Sequence, residues 1–352
     1  MVSNKSLPLV GVSCGDPNGI GIEVILKTLS DKRNLKLFTP VLFCNDQLLS
    51  DQMKHFDLEL DFIKLKNKSI PVNGKVNVVD VLEKPFKTNF GEESSESGKI
   101  SYLSLKEAVY WLSKSKIDVL VTAPINKNNI QNENFNFPGH TDYLAKILDG
   151  ESLMFMISDG LKVGLITDHI PIKNIHSSIN KELIILKHSI VKNSLIKDFK
   201  IQKPKIAFLS IDPHVGDGGI IGKDDDDILK PSLIEISKTG DLVFGPFSSD
   251  SFFGSGSYKK YDAVLAIYHD QGLIPFKTLS FGEGVNYTAG LDKIRTSPDH
   301  GTGYDIAGKG IADSSSFKKA IYSAIDIFNS RKLYEKLKTN SLPISGSKRS
   351  SK

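Results

Sequence analysis

Cysteine is nearly absent from this chain: Cys14 and Cys44 are the only two in 352 residues. Two thiols build no disulfide framework, and usage this sparse suits a reducing compartment. Long apolar runs are missing as well. Nothing reaches about 18 uninterrupted apolar residues, so no membrane span is expected, and residues 1–10 lack the extended apolar core of a secretory leader. Neither sign of charge dominates: 45 basic against 41 acidic side chains leave a net +4. That excess is too small and too scattered to argue for nucleic acid, yet it does not oppose an anionic small substrate. A cytoplasmic protein without membrane or nucleic-acid partners is expected. Internal repeats are not apparent, and the low-complexity pieces at 92–97, 224–227 and the 348–352 tail read as solvated surface.

What is present is an alternation of apolar strand-like segments with helical patterns, in a chain long enough for two domains or one large sheet. Strands are expected near 7–13, 37–44, 117–122, 205–210 and 261–267, with a hairpin at 153–167. Helices are expected near 22–29, 98–112, 142–148, 180–195 and 317–328. This is the pattern of an α/β fold, in which ligands collect beyond the carboxyl ends of the strands.

Several polar clusters follow such strands. Gly15, Gly19 and Gly21 punctuate the first strand-to-helix turn, where backbone N–H groups can approach an anion; the spacing is not that of the dinucleotide fingerprint, and a generic turn fits equally. Lys127 follows the 117–122 strand. His140 and Thr141 open a helix that Thr141 can cap. Lys277, Arg295 and the amide of Asn286 offer a phosphate and a carboxylate cationic and amide donors. The glycine-rich run His300, Gly301, Thr302, Gly303, Tyr304, Asp305, Ile306, Ala307, Gly308 suits a backbone-lined groove.

Three histidines each sit just past an apolar strand-like segment: His169, His214 and His269, 45 and 55 positions apart. No local metal-knuckle spacing applies, so only strand ends gathered at one sheet edge can unite them. Three imidazoles with positions left open make a catalytic divalent-metal set; taken singly, each is an ordinary structural or solvated histidine. Asp168, Asp212 and Asp270, adjacent in sequence, are candidate acceptors for the ring nitrogens. Asp250 is a candidate for ordering the same region.

Taken together, Gly15-Asp16-Pro17 with Gly19-Ile20-Gly21, Ala123-Pro124-Ile125-Asn126-Lys127, Pro138-Gly139-His140-Thr141, Tyr268-His269-Asp270-Gln271-Gly272, Arg295-Thr296-Ser297 and the 299–310 run resemble the 4-hydroxythreonine-4-phosphate dehydrogenase (PdxA) family over nearly the whole chain. The resemblance implies a homodimer of two α/β/α domains, isocitrate/isopropylmalate dehydrogenase-like, with the active site in the interdomain cleft at the dimer interface. The first domain is expected from 1–140 with 290–352, the second from 141–289. It implies metal ligation by His169, His214 and His269, the last from the other subunit, for one Zn2+, Mg2+, Mn2+ or Co2+ ion. Substrate contacts are implied for His140, Thr141, Lys277, Asn286 and Arg295, and an NAD or NADP loop for His300, Gly301, Asp305 and Gly308. Lys127 and Asp250 are candidate proton-transfer groups. The implied reaction oxidises 4-phosphooxy-L-threonine to 2-amino-3-oxo-4-phosphooxybutanoate, which decarboxylates to 3-amino-2-oxopropyl phosphate in pyridoxal 5'-phosphate synthesis. Two alternatives stand beside it: a sister enzyme acting on 4-phosphothreonate or 4-phosphoerythronate, and a non-catalytic small-molecule-binding protein on the same fold.

Overall fold

The computed structural model describes residues 6–66, 69–82 and 84–339; the tail at 348–352 lies outside them. Strands and helices alternate in the order β1 (Leu9–Ser13), α1 (Gly21–Leu29), β2 (Thr39–Phe43), α2 (Asp46–His55), β3 (Phe62–Leu65), β4 (Val76–Val79), α3 (Ser95–Ser113) and β5 (Val119–Thr122). There follow α4 (His140–Ile147), β6 (Gly150–Ile157), β7 (Lys162–Leu165), α5 (Ile175–Ser178), α6 (Lys181–Lys197) and β8 (Lys205–Leu209). The chain ends with α7 (Lys230–Lys238), β9 (Leu242–Phe247), α8 (Ser249–Gly254), β10 (Ala263–Ala266), α9 (His269–Leu279), β11 (Val285–Leu291), β12 (Ile294–Pro298) and α10 (Ser315–Thr339).

Among the described residues all twelve strands join one sheet in the order β3-β4-β2-β1-β5-β12-β11-β6-β7-β10-β8-β9. Two parallel runs, β3 to β12 and β7 to β9, are linked through antiparallel β11 and β6. The strand sequences explain the parallel runs. Every residue of β2, β5 and β10 is buried, as a strand covered by helices on both faces requires. Helix starts are set locally: Asn45, Ser94 and Asn180 accept from the backbone N–H three residues on, each removing one orphan donor. Strands drawn from residues 9–122 and 294–298 fill one half of the sheet, and those from 150–291 fill the other.

The polar segments 92–97 and 224–227 are mostly exposed, with one buried residue in each. Asp225, in the acidic run, is 1% exposed, and its carboxylate accepts from the backbone N–H groups of Ile211 and Asp212 at 3.0 and 2.9 Å. Ser97 is buried and donates to Asp16 at 3.1 Å. The surface reading is corrected at these two residues alone, where a polar side chain satisfies backbone or carboxylate groups beneath it. Among the described residues no helix is long and apolar enough to cross a membrane.

Candidate active site

The carboxyl ends of β5 and β12 meet the amino end of β11 around a cleft of about 250 Å³. In register, Met156, Asn286 and Ser297 lie side by side across β6, β11 and β12, and all three line it. At its floor is Arg295, fully buried. Its Nε and Nη2 donate to Thr122 Oγ1 at 3.0 and 2.6 Å, and Nη1 to Thr288 Oγ1 at 3.3 Å. Among the described residues no carboxylate pairs with it. Burial alone draws its pKa down to about 9, so the guanidinium keeps its charge at neutral pH. An unpaired charge in such a place costs several kcal/mol, and the cation is therefore available to an anion entering the cleft.

The other lining residues suit the same visitor. Lys277 Nζ reaches over the cleft, held by Asp299 Oδ1 at 3.1 Å. Lys127 lines the cleft as well. His140 opens α4, and its pKa is pushed well below the usual imidazole value by burial, then by Arg295 and Lys127; it stays neutral. Its Nε2, Asn286 Oδ1 and His300 Nε2 are buried without partners, three polar atoms that a bound polar molecule would satisfy. Thr141 also lines the cleft, but it does not cap α4. Gly139 holds the cap position with no side-chain bond, so the hydroxyl is not committed there.

The histidines divide. The strands that precede them, β7, β10 and β8, are parallel neighbours, so the three imidazoles do start from one sheet edge. His169 and His269 come together in the cleft with ring centroids 5.6 Å apart. His214 does not join them: it lines a second, more apolar cavity of about 670 Å³ with Asp250, Phe253 and Ile274. Within the chain, His214 is the one set apart. Helix α9 is the cause. It begins at His269 and sends His269, Leu273 and Lys277 to the cleft, while Asp270, Ile274 and Thr278 face the second cavity. His214 itself opens five consecutive left-handed residues, including Val215 and Asp217, a strained run held in place by its surroundings.

The aspartates beside the histidines split too. Asp270 Oδ1 holds His269 Nδ1 at 2.7 Å, leaving Nε2 as the free ligand nitrogen. Asp168 instead accepts from the His169 backbone N–H at 2.7 Å, and Asp212 from the Asp224 backbone at 3.0 Å; adjacent side chains point apart. The Lys127 ammonium, which can only donate, sits 3.5 Å from His169 Nε2, so that nitrogen carries a lone pair. Burial and then Lys127 lower the His169 pKa. Two imidazoles side by side fit part of a divalent-metal shell, and among the described residues no group of three possible ligands forms within one chain.

Of the candidate cofactor residues, His300 and Gly301 line the cleft. Asp305 and Gly308 lie further along the loop, where the Gly308 carbonyl meets His55 Nε2 at 2.8 Å. Of the candidate proton-transfer groups, Lys127 is at the cleft and Asp250 beside His214. Sequence reasoning missed Thr122, which orients Arg295, and the wall of Met154, Met156 and Leu273. Alternation along β6 puts both methionines on one face, a signal available beforehand but indistinguishable from core packing.

Three N–H groups of the glycine turn are committed within the fold: Asp16 on the Pro124 carbonyl at 2.8 Å, Gly19 on the Asp16 carbonyl at 3.1 Å and Ile20 on the Thr302 carbonyl at 2.9 Å. A Cβ on Gly19 would stand 2.6 Å from the Thr302 oxygen, so glycine serves a close backbone approach.

Comparison with known proteins agrees with this geometry. The family model described as pyridoxal phosphate biosynthetic protein PdxA matches residues 36–324. A 4-hydroxythreonine-4-phosphate dehydrogenase from Bacteroides thetaiotaomicron is 43% identical over 335 residues, covering 95% of this chain and 92% of the relative. A relative from Oceanobacillus iheyensis with the provisional name D-threonate 4-phosphate dehydrogenase is 34% identical over 91% of this chain and 98% of its own. The crystal structure of 4-hydroxythreonine-4-phosphate dehydrogenase from Klebsiella pneumoniae superposes with a TM-score of 0.79 at 30% identity, covering 91% of this chain and 99% of that one. With a family match across most of its length and relatives aligned almost end to end, this chain belongs to the PdxA family.

Proposed function

We propose that the protein is a divalent-metal- and NAD(P)-dependent 4-hydroxythreonine-4-phosphate dehydrogenase. The observation that carries this reading is Arg295, a buried guanidinium without an acidic partner at the floor of a cleft that Lys277 and Lys127 also line. Three cations answer a substrate bearing both a phosphate and a carboxylate. Neutral His140 offers a hydrogen bond without adding to the charge, and Asn286 Oδ1, unpartnered and buried, is an acceptor for the substrate's amine or hydroxyl. Met154, Met156 and Leu273 give the same space an apolar wall, beside which charge interactions are stronger than in bulk water. Lys127, 3.5 Å from His169 Nε2, would be the proton-transfer group at the substrate hydroxyl, receiving a proton there only in its uncharged amine form.

His169 and His269 would hold the metal, with the partner subunit's His214 as third ligand. When bound, the ion would polarise the substrate oxygen and the nicotinamide would accept hydride. Apolar exposure supports the second subunit: around the His214 cavity Ile274 is 64% and Leu279 49% exposed, an unpartnered face of the kind that marks an interface. The two halves of the sheet, 1–140 with 290–352 and 141–289, would act as the two domains flanking the cleft.

The test is turnover of 4-phosphooxy-L-threonine with NAD or NADP and a divalent ion, followed by detection of 3-amino-2-oxopropyl phosphate. Activity solely with 4-phosphothreonate or 4-phosphoerythronate would move the protein to the second reading, which the Oceanobacillus relative's name favours. Shared sites have their own check. His169→Ala and His214→Ala chains, each inactive alone, should regain turnover when mixed as heterodimers, because one composite site is then intact.

A further inference from the structure

The loop that carries His300 and Gly301 leaves the cleft and is caught at two points over residues 302–304, with further contacts at Gly308 and Gly310. The first is the Ile20 backbone on Thr302, across Gly19. The second is a side-chain junction buried beneath it. Tyr304 Oη donates to Asp16 Oδ2 at 2.8 Å and accepts from Asn129 Nδ2 at 3.3 Å. Asp16 is 0% exposed; its other donors are Ser97 Oγ at 3.1 Å and the Asn18 backbone at 3.0 Å. None of these donors carries a charge, so a buried carboxylate is held by neutral hydrogen bonds, one of which comes from the loop. Burial raises the Asp16 pKa.

Asn129 belongs to the turn that presents Lys127: the Asn126 side chain accepts from the Asn128 and Asn129 backbones at 2.9 and 3.0 Å. One phenol therefore joins three segments: the glycine turn at 15–21, the turn carrying Lys127, and the 299–310 loop.

We propose that Tyr304, held by Asp16, is a positioning residue that sets the 299–310 loop for the dinucleotide. This rests on the reading of that loop as the cofactor loop. Removal of the hydroxyl frees one of the two anchors while the Thr302 contact remains, so the loop keeps its course but loses its register against the cleft. The cost falls on dinucleotide binding; Arg295 and Asn286 sit on β12 and β11, outside the loop, and keep their hold on the phosphorylated substrate, while Lys277 stays on α9 with Asp299 at the loop's start.

Tyr304→Phe keeps the ring and deletes the hydroxyl. The expected result is a rise of about tenfold in KM and Kd for the dinucleotide, the size of one lost hydrogen bond, with kcat and the KM for the phosphorylated substrate within about twofold of wild type. Asp16→Asn should produce a similar rise, and the double variant no more than either alone, because both remove the same link. A merely structural role would move both KM values together. Variants with wild-type dinucleotide affinity, or with equal losses for both ligands, overturn the inference while the functional reading stands. A wild-type protein that binds no dinucleotide overturns that reading, and this inference with it.

Discussion

At the scale of single residues, the question at each site is which group is left without a partner. Arg295 has hydroxyls but no carboxylate, and Lys is not its equivalent, because a point charge cannot reproduce the fork that spans Thr122 and an entering anion. Arg295→Lys is expected to lower kcat/KM by about 100-fold or more, chiefly through KM for the phosphorylated substrate, in steady-state kinetics. His188 gives a pH prediction away from the cleft. Burial, partly opposed by Asp241, draws its pKa from 6.5 down to about 4. The unfolded chain then binds the proton that the folded chain refuses, so stability falls as pH drops from 6.5 to about 4, by roughly 3 kcal/mol at most. His188→Phe, which keeps the stack on Phe208, should flatten that limb in Tm against pH. An unchanged acid limb would show that other groups set it. Residue identity was legible in the sequence here; orientation was not. Asp168, Asp212 and Asp270 look alike as neighbours of histidines, yet only Asp270 reaches a ring, because successive side chains leave the backbone in different directions.

At the scale of elements, α9 decides the most. With 3.6 residues per turn, positions four apart share a face, so His269 and Lys277 serve the cleft while Ile274 serves the second cavity. Ile274→Glu should leave the fold intact, since the side chain is 64% exposed, and should weaken self-association and activity together. Sedimentation of the variant as a dimer at wild-type affinity would remove this surface from the interface. Gly19→Ala forces a Cβ to 2.6 Å from the Thr302 carbonyl; a loss of about 1–3 kcal/mol is expected, measurable by urea unfolding. Strand and helix positions were mostly readable from apolar period. The hairpin at 153–167 appears as antiparallel β6 and β7, and the 180–195 helix as α6 with Asn180 as its cap. Helix α9 was not read as a helix at all: Gly272 and Pro275 interrupt its pattern, and Gly272 is required because Ala266 and Val163 side chains close to 2.9 Å of where its Cβ would be.

At the scale of the whole molecule, the two halves of the sheet are tied behind the cleft. Arg331 of α10 bonds Asp198 Oδ1 at 2.7 Å and Tyr287 Oη at 2.8 Å, and Tyr287 donates to Asp198 Oδ2 at 2.6 Å. Arg331→Ala strands a buried carboxylate and is expected to cost about 3–5 kcal/mol without a direct effect on the chemistry, so residual folded protein should retain its kcat. Chelation should act in the opposite way. Removing divalent ions is expected to abolish turnover and leave the unfolding midpoint nearly unchanged, with activity returning on addition of Zn2+, Mg2+, Mn2+ or Co2+.

The order of residues along the chain determined the α/β class, the polar clusters beyond the strands and the membership of a family, because apolar period and motif spacing are written locally and survive without coordinates. Tertiary structure decided which of those clusters meet. It brought His169 to His269 and sent His214 to the far side of α9, tied the Ile20 N–H of the glycine turn to Thr302 of the 299–310 loop, and left Arg295 buried without a counter-charge among the described residues. These outcomes depend on sheet order, on helix faces and on water exclusion, which arise only when segments more than a hundred residues apart pack together.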